Sequence, residues 1–257
     1  MICKVCNATS QKIFSSRILN KYDIEYFYCK ECGFLQTEEP YWLSESYQSS
    51  INMSDTGIIE RNIYFSKITA IILYFLFNQS SKYLDFAGGY GILTRLMRDI
   101  GFDFYWSDEY TQNLFARGFE YSENTGNIKL ITCFEGFEHF INPIKEIEKM
   151  LNISKNILFS TYLLPNPIPK PDDWWYYGLE HGQHVSFYSS RTFELIAKRK
   201  GLSYYSNGSM HMLTEKKINK LYFKHLDRLY GFGIFSYIKR KMKSRTSDDM
   251  KYIISTY

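Results

Sequence analysis

Residues 82–110 constrain the fold more than any other part of the chain. Their sequence, KYLDFAGGYGILTRLMRDIGFDFYWSDEY, predicts a strand, a glycine-rich turn, an amphipathic helix and a second strand, because the apolar positions change from strand spacing to helix spacing after the glycines. Gly88, Gly89 and Gly91 let backbone amides at the start of the helix approach a ligand closely. Asp108 ends the second strand, where a carboxylate can accept hydrogen bonds from ribose hydroxyl groups. The segment therefore predicts an α/β fold that binds a nucleotide.

The spacing of these glycines distinguishes between two kinds of nucleotide. A dinucleotide fingerprint beginning at Gly89 needs a third glycine at position 94, where this chain has Thr94. The segment instead resembles motif I of class I S-adenosylmethionine (SAM) dependent methyltransferases, which has the pattern D-x-G-x-G-x-G. The matching residues are Asp85, Ala87, Gly89 and Gly91. Ala87 thus occupies the position of the family's first glycine.

The resemblance implies a fold and a set of cofactor contacts. We expect a Rossmann-like α/β sheet of the class I methyltransferase type, with the glycine-rich loop around the methionine part of SAM. Asp85 is then expected near the amino group of SAM, and Asp108 at its ribose. The predicted SAM-binding residues are Asp85, Ala87, Gly88, Gly89, Gly91, Asp108 and Phe134. The alternative is a turn of the same shape that binds no nucleotide.

Four of the five cysteines form two close pairs, Cys3 with Cys6 and Cys29 with Cys32. A C-x-x-C turn places two thiolates on one side of a tight loop, and two such turns complete a tetrahedral zinc site. Because four cysteines leave no open coordination position, the predicted zinc is structural. A redox dithiol and a chance pairing are the alternatives. Cys133 lies in an apolar run and is expected to be an inert core thiol.

Two later segments carry the candidate catalytic residues. Residues 128–143, IKLITCFEGFEHFINP, predict a buried strand followed by the start of a helix. They resemble the fourth-strand segment of the same superfamily, which ends in E-x-x-E-H. The matching residues are Glu135, Glu138 and His139. The HVSFYS segment that begins at His184 resembles the stretch after the fifth strand in sugar methyltransferases.

We consider three interpretations of these residues. His184 can act as a general base or orienting group for an acceptor, because imidazole titrates near neutral pH. Alternatively, Glu135, Glu138, His139 and His184 bind a second divalent cation that polarises an acceptor hydroxyl, as the resemblance to certain small-RNA 2′-O-methyltransferases and quinone O-methyltransferases implies. In the third interpretation, the two histidines only cap a helix and line a pocket. The catalytic candidates are His184, Glu138 and His139.

The aromatic residues 174–177 precede the His184 segment. Trp174, Trp175, Tyr176 and Tyr177 are expected near the carboxyl edge of the sheet, where ligands bind in open α/β folds. They form either a lid or sugar-stacking wall, or simple packing between domains.

The chain divides into four predicted segments: a zinc-ribbon module at 1–40, a linker and helix at 41–80, a SAM-binding domain at 81–212 and a basic helical tail at 213–257. The longest apolar run, Ile68 to Phe77, is about half of what a membrane-spanning helix needs. No signal peptide precedes the first cysteines, so a cytoplasmic location is expected. The basic tail suits a solvated face, and it could also contact nucleic acid, an anionic membrane surface or a protein partner. The net charge of +4 neither demands nor excludes nucleic acid.

Taken together, residues 3 to about 212 resemble SAM-dependent methyltransferases found with bacterial surface-polysaccharide and deoxysugar pathways, some of which carry an N-terminal cysteine zinc module. In sugar C-methyltransferases a further C-terminal domain follows the region of resemblance, so we expect O-methylation of a glycan or nucleotide sugar here. The first alternative is a metal-assisted O-methyltransferase of RNA or a small molecule. The second is a non-catalytic zinc-ribbon binding protein on a methyltransferase fold.

Overall fold

A small antiparallel sheet forms from the N-terminal part of the chain. The structure, a computed structural model, describes residues 1–48, 55–225 and 233–256. The first elements are the strands β1 (Gln11–Ile18), β2 (Tyr22–Tyr28) and β3 (Leu35–Thr37) and the short helix α1 (Leu43–Ser46). The three strands pair in sequence order. The first cysteine pair precedes β1, and the second lies between β2 and β3.

The larger sheet follows the long helix α2 (Ile58–Leu76). Its first elements are β4 (Lys82–Phe86), α3 (Ile92–Ile100), β5 (Asp103–Ser107), β6 (Ile128–Cys133), α4 (Pro143–Ile153) and β7 (Asn156–Phe159). β4 pairs in parallel with both β5 and β6, and β6 pairs in parallel with β7. Parallel neighbours need crossover connections, which α3 and α4 supply. The carboxyl ends of β4, β5 and β6 therefore lie along one edge.

The last strands complete both sheets. These elements are β8 (Ser186–Phe187), α5 (Ser190–Lys200), β9 (Ser203–Ser206) and β10 (His211–Thr214). β10 is antiparallel to β7 and β9, which gives the order β5-β4-β6-β7-β10-β9. β8 instead pairs with β3, at the edge of the N-terminal sheet. The predicted α/β fold class is confirmed.

Apolar side chains cover both faces of the larger sheet. One face packs residues such as Ile147, Phe159 and Phe193, and the other packs residues such as Ile71 and Met97. Cys133 is fully buried, and burial raises the pKa of its thiol well above the usual value. This matches the prediction of an inert core thiol. Over the described ranges, we find no helix with the length and apolar content that crossing a membrane requires.

The C-terminal tail is helical where it is described. Its helices are α6 (Lys220–Lys224), α7 (Ile234–Lys241) and α8 (Thr246–Thr256). The helix predicted through residues 226–232 lies outside the described residues.

A buried ion pair attaches α8 to the larger sheet. The guanidinium of Arg98 on α3 donates to both carboxylate oxygens of Asp249 at 2.8 and 2.6 Å. The two side chains are only 2% and 6% exposed. Burial acts to raise the pKa of Asp249, but the hydrogen bonds and charge of Arg98 outweigh it and hold that pKa below its usual value. The pair therefore stabilises the fold above the pKa of the unfolded carboxyl, and this contribution is lost as the pH falls through the lower folded pKa.

We predict that Asp249→Ala lowers the free energy of unfolding by about 3 kcal/mol at pH 7, because it leaves the charge of Arg98 buried without its main partner. The control is Asp248→Ala, whose exposed pair with Lys243 is expected to contribute about 0.5 kcal/mol. Chemical denaturation of both variants measures the difference. Equal losses in the two variants would show that the buried pair does not anchor α8.

Candidate functional site

The glycine-rich loop between β4 and α3 contains three residues with left-handed backbone angles. Ala87, Gly89 and Gly91 have φ angles of +55°, +53° and +85°. Such left-handed angles are easy for glycine and cost roughly 1 kcal/mol for alanine. A Cβ placed on Gly89 would meet no atom within 4 Å, so the loop is open on that side. The loop thus offers backbone groups to a ligand at the start of α3.

Asp85 lies beneath this loop. The side chain is buried, and its carboxylate accepts hydrogen bonds from the hydroxyls of Thr94 on α3 at 3.2 Å and Thr132 on β6 at 2.8 Å. Burial raises the pKa of Asp85 to about 7. A Cβ on Gly88 would lie 2.8 Å from the Asp85 Oδ2 atom, so the loop rests directly on the carboxylate. Asp85 therefore supports the loop from below.

Asp108 fixes the loop from the end of the neighbouring strand. Its carboxylate accepts backbone N–H hydrogen bonds from Gly89 at 2.9 Å, Tyr110 at 2.8 Å and Thr111 at 2.7 Å. A carboxylate has about four acceptor positions, so one remains for a ribose hydroxyl. Trp106 also contributes, because its indole N–H donates to the Gly89 carbonyl at 2.8 Å. Trp106 was not predicted, since an apolar position in a strand gave no sign of this contact.

Phe134 follows the end of β6 and stacks on Phe65 of α2, with ring centroids 4.3 Å apart. It lies at the same edge of the sheet as the loop, because β4 and β6 are parallel neighbours. The predicted cofactor residues are thus gathered at the carboxyl ends of β4, β5 and β6, and their open loop fits a nucleotide-like ligand such as SAM.

Three of the four candidate acid and imidazole residues come together beside this loop. Each of Glu138, His139 and His184 offers one atom that could ligate a metal ion, and these three atoms lie within 4.8 Å of one another. Gly136, two residues before Glu138, places the cluster next to the loop, since a Cβ there would lie 3.6 Å from the Ala87 Cβ. Glu135 is not a member of this group. Its carboxylate accepts from the Ser160 hydroxyl and lies 3.9 Å from the Arg61 Nε atom.

Backbone carbonyls determine which nitrogen of each histidine is available. His184 Nδ1 lies 2.7 Å from the Tyr176 carbonyl, which only accepts, so Nδ1 carries the proton and Nε2 keeps its lone pair. His139 Nδ1 lies 3.2 Å from the Gln183 carbonyl and 2.9 Å from the Tyr47 hydroxyl oxygen. A proton on this Nδ1 satisfies both contacts. Each ring therefore keeps Nε2 as its accepting atom.

Desolvation shifts the pKa of each of the three groups toward its uncharged form. Burial lowers the pKa of His139 to about 4 and that of His184 well below its usual value. Burial, together with the Glu135 charge, raises the pKa of Glu138 to about 8. Among the described residues, Glu138 Oε2 is a buried oxygen with no hydrogen-bond partner. The cluster thus holds proton-accepting imidazoles and a carboxyl group that a cation or a hydroxyl donor would satisfy.

An exposed aromatic pair lies next to the cluster. Trp175 and Tyr162 are 70% and 51% exposed, and their ring centroids are 5.3 Å apart. Tyr176, which is buried, contacts both Tyr162 and the His184 ring. Tyr177 is also buried, so the aromatic run divides between packing and an exposed surface.

The four N-terminal cysteines form a second cluster. One sulfur atom from each of Cys3, Cys6, Cys29 and Cys32 lies within 4.8 Å of the others. The Cys3–Cys32 and Cys6–Cys29 sulfur distances are 3.5 and 3.4 Å. A tetrahedral site with metal–sulfur bonds of about 2.3 Å has sulfur–sulfur edges of roughly 3.8 Å. The donor set and its spacing therefore fit a tetrahedral ion such as zinc.

A comparison with protein-family models identifies the family of the larger sheet. A family model described as a methyltransferase domain matches residues 60–207, which is more than half of the chain. No curated protein sequence matches the chain.

Several solved structures also resemble the chain at low sequence identity. An O-methyltransferase family protein from Burkholderia thailandensis is 14% identical, with 68% of this chain and 64% of that chain covered and a TM-score of 0.48. The mitomycin 7-O-methyltransferase MmcR is 10% identical, with 67% and 59% covered and a TM-score of 0.42. The plantazolicin methyltransferase BpumL in complex with SAH is 14% identical, with 78% and 84% covered and a TM-score of 0.44. The matched region spans less than two thirds of the first two proteins.

We predict that Asp85→Asn changes how stability depends on pH. The folded carboxyl keeps its proton up to about pH 7, whereas the unfolded carboxyl loses it near pH 3.9. Between these values the unfolded state binds fewer protons, so the free energy of unfolding of the wild type falls by about 1.4 kcal/mol per pH unit. Asparagine does not titrate, so it contributes no such pH dependence to the free energy of unfolding. From pH 5 to pH 8 the variant should therefore gain about 3 kcal/mol relative to the wild type.

Chemical denaturation of the ligand-free protein at both pH values measures this gain, with Asp173→Asn as the control at an exposed carboxyl. A pH-independent difference between Asp85→Asn and the wild type would mean that Asp85 is already ionised in the folded protein at pH 5.

Proposed function

Because the chain belongs to the methyltransferase-domain family, we propose that it is a SAM-dependent enzyme that methylates a hydroxyl group of a carbohydrate, either a glycan or a nucleotide sugar. The observation that supports this proposal best is the position of His184. Its ring, with Nε2 as the accepting atom, belongs to the acid and imidazole cluster and contacts the buried Tyr176, which in turn contacts the exposed Tyr162 and Trp175.

Each group then has a defined task. When bound, SAM would supply a methyl group: the bond from this methyl group to the positively charged sulfur would break as the acceptor oxygen bonds to it, and S-adenosylhomocysteine would be the leaving group. The glycine-rich loop and Asp108 hold this cofactor through backbone amides and a carboxylate, with Asp85 beneath the loop. His184 Nε2 accepts the proton of the acceptor hydroxyl as the new C–O bond forms. The lowered pKa of His184 keeps the ring unprotonated, but it also makes Nε2 a weaker base than the near-neutral imidazole expected from the sequence. Positioning of the acceptor hydroxyl therefore contributes to the rate together with proton acceptance.

The exposed aromatic pair supports a carbohydrate acceptor. One side of a sugar ring presents C–H groups, which pack on aromatic faces, while its hydroxyls need polar partners. Trp175 and Tyr162 provide exposed aromatic surface, and Tyr176 joins that surface to His184. We further propose that the cysteine cluster binds one structural zinc ion, because its four sulfurs have the spacing of a closed tetrahedral site.

We predict that His184→Ala lowers kcat about 100-fold or more, which is the usual contribution of a positioned general base. The affinity for S-adenosylhomocysteine should stay within twofold of the wild type, because the residues that hold the glycine-rich loop are unchanged. Calorimetric titration gives the affinity, and methyl transfer to a panel of sugars and nucleotide sugars gives the rate. His225→Ala, a histidine at the end of α6, is the control. Loss of S-adenosylhomocysteine binding in His184→Ala would contradict the assigned role, and no binding to the wild type would contradict the enzyme itself.

A metal-assisted reaction is the second candidate, because two imidazoles and one carboxyl group meet at the same place. Histidine nitrogen and carboxylate oxygen suit divalent ions such as Mn²⁺ or Zn²⁺, and such an ion would lower the pKa of the acceptor hydroxyl. In that case the ion, and not His184, would assist the loss of the hydroxyl proton.

Chelation separates the two candidates. We expect turnover to persist in EDTA under conditions where one zinc per chain is retained, as metal analysis can verify. Glu138→Gln should then reduce kcat less than His184→Ala does. Loss of turnover that added Mn²⁺ or Mg²⁺ restores in the wild type, but not in Glu138→Gln, would favour the metal-assisted reaction.

A further inference from the structure

The chain that carries His184 is held by the N-terminal part of the protein. We call residues 1–48 the N-terminal module and residues 181–184 the histidine loop. β8, which follows the histidine loop after one residue, pairs with β3 of the module through Leu35 with Phe187 and Gln36 with Ser186. The Thr37 N–H also donates to the Val185 carbonyl at 3.1 Å. The residue next to His184 is thus hydrogen bonded to the module's sheet.

The histidine loop itself is fixed by hydrogen bonds from both sides. The indole N–H of Trp42, a buried side chain, donates to the Gly182 carbonyl at 2.8 Å. In the opposite direction, the Gln183 side-chain amide donates to the Ser46 carbonyl at 2.8 Å. Gly182 has a φ of +65°, and a Cβ there would lie 3.0 Å from the Ser46 hydroxyl oxygen. The loop therefore fits tightly against this part of the module.

Tyr47 extends the same contact to the second histidine. Its hydroxyl oxygen lies 2.9 Å from His139 Nδ1, and its ring stacks on Tyr110 with centroids 5.9 Å apart. Tyr110 donates its backbone N–H to Asp108. Tyr47 thus contacts His139 directly and, through Tyr110, is linked to Asp108, which holds the glycine-rich loop.

The two cysteine turns of the module contact α5, the helix that follows β8 in the chain. The Thr192 hydroxyl, near the start of α5, donates to the Cys32 carbonyl at 2.9 Å. Arg199, near the end of α5, donates to the Val5 carbonyl at 3.0 Å. The segment from the histidine loop to α5 is therefore attached to the module at three places: Trp42 and Ser46, β3, and the cysteine turns.

We propose that the N-terminal module positions the histidine loop, so that metal binding by the four cysteines controls methyl transfer without controlling SAM binding. Trp42 and Tyr47 are the positioning residues. The hydrogen bonds that hold the glycine-rich loop and the Asp85 carboxyl beneath it come from Thr94, Trp106, Asp108 and Thr132, all of them outside the module. The module contacts this region through the ring of Tyr47, which stacks on Tyr110 and which Tyr47→Phe retains. This inference rests on the proposed roles of His184 and of the zinc ion.

Substitutions in the module test the positioning role. Trp42→Phe removes the indole donor and keeps an aromatic ring, and Tyr47→Phe removes only the hydroxyl. Tyr41→Phe is the matched control, because Tyr41 is 61% exposed and lies in the same module. For both test variants we expect one zinc per chain, S-adenosylhomocysteine affinity within twofold of the wild type, and a kcat at least tenfold lower. A kcat within twofold of Tyr41→Phe, or a parallel loss of S-adenosylhomocysteine affinity, would overturn the proposal.

A second measurement needs no acceptor and so separates this inference from the proposed reaction. The chain has five histidines, which single substitutions can assign in ¹⁵N NMR spectra of the imidazole rings. On zinc removal we expect the His139 and His184 ring signals to shift or broaden, while the His225 signals stay unchanged and S-adenosylhomocysteine still binds. Trp42→Phe with zinc retained should give the same change at His184, which tests the coupling even if the zinc-free protein unfolds. Unchanged His139 and His184 signals in this variant would overturn the inference, whether or not any sugar is methylated.

Discussion

The pairing of two short strands, β3 and β8, determines how His184 is brought to the cluster that it forms with Glu138 and His139. β8 has only two residues, and its neighbour β3 has three. The pairing nevertheless joins the N-terminal sheet to the chain between His184 and α5. Because strand pairing fixes register as well as position, it also determines where the histidine loop meets Trp42 and Ser46. Together with the hydrogen bonds of Trp42 to Gly182, of Gln183 to Ser46 and of His184 to the Tyr176 carbonyl, the pairing restrains the segment that carries His184.

Burial of ionisable groups accounts for much of the chemistry of the site. Burial disfavours the charged form of every group, so it raises the pKa of Asp85 and Glu138 and lowers that of the two histidines. These shifts favour imidazoles that can accept a proton and carboxyl groups that a positively charged ligand would ionise. Such an arrangement is unfavourable for stability in the ligand-free protein, as is common at functional sites. Arg98 and Asp249 differ from these groups, because they are buried as a hydrogen-bonded pair of opposite charge, in which the charged forms are favoured.

The local elements of the site were predictable because they depend on near neighbours in the sequence. The β4-α3-β5 unit follows from the change in apolar spacing around the glycines, and the left-handed angles at Gly89 and Gly91 follow from residue type. The two cysteine pairs likewise depend on the geometry of single turns. The exclusion of Glu135 from the acid and imidazole cluster was not predictable from its spacing to Glu138. That spacing predicts proximity, but Ser160 and Arg61, from distant parts of the chain, hold the Glu135 carboxylate elsewhere.

The sequence by itself determined the α/β fold class, the position of the glycine-rich loop and the two close pairs of cysteines, because backbone preferences and short-range spacing govern all three. Only the tertiary structure decided that Tyr47 contacts His139, that Trp42 holds Gly182 and that β8 belongs to the N-terminal sheet. The physical reason is the separation in sequence. Trp42 and Gly182 are 140 positions apart, and no local preference specifies their contact. It arises from the packing of the small sheet against the larger one, which also brings His184 into the site.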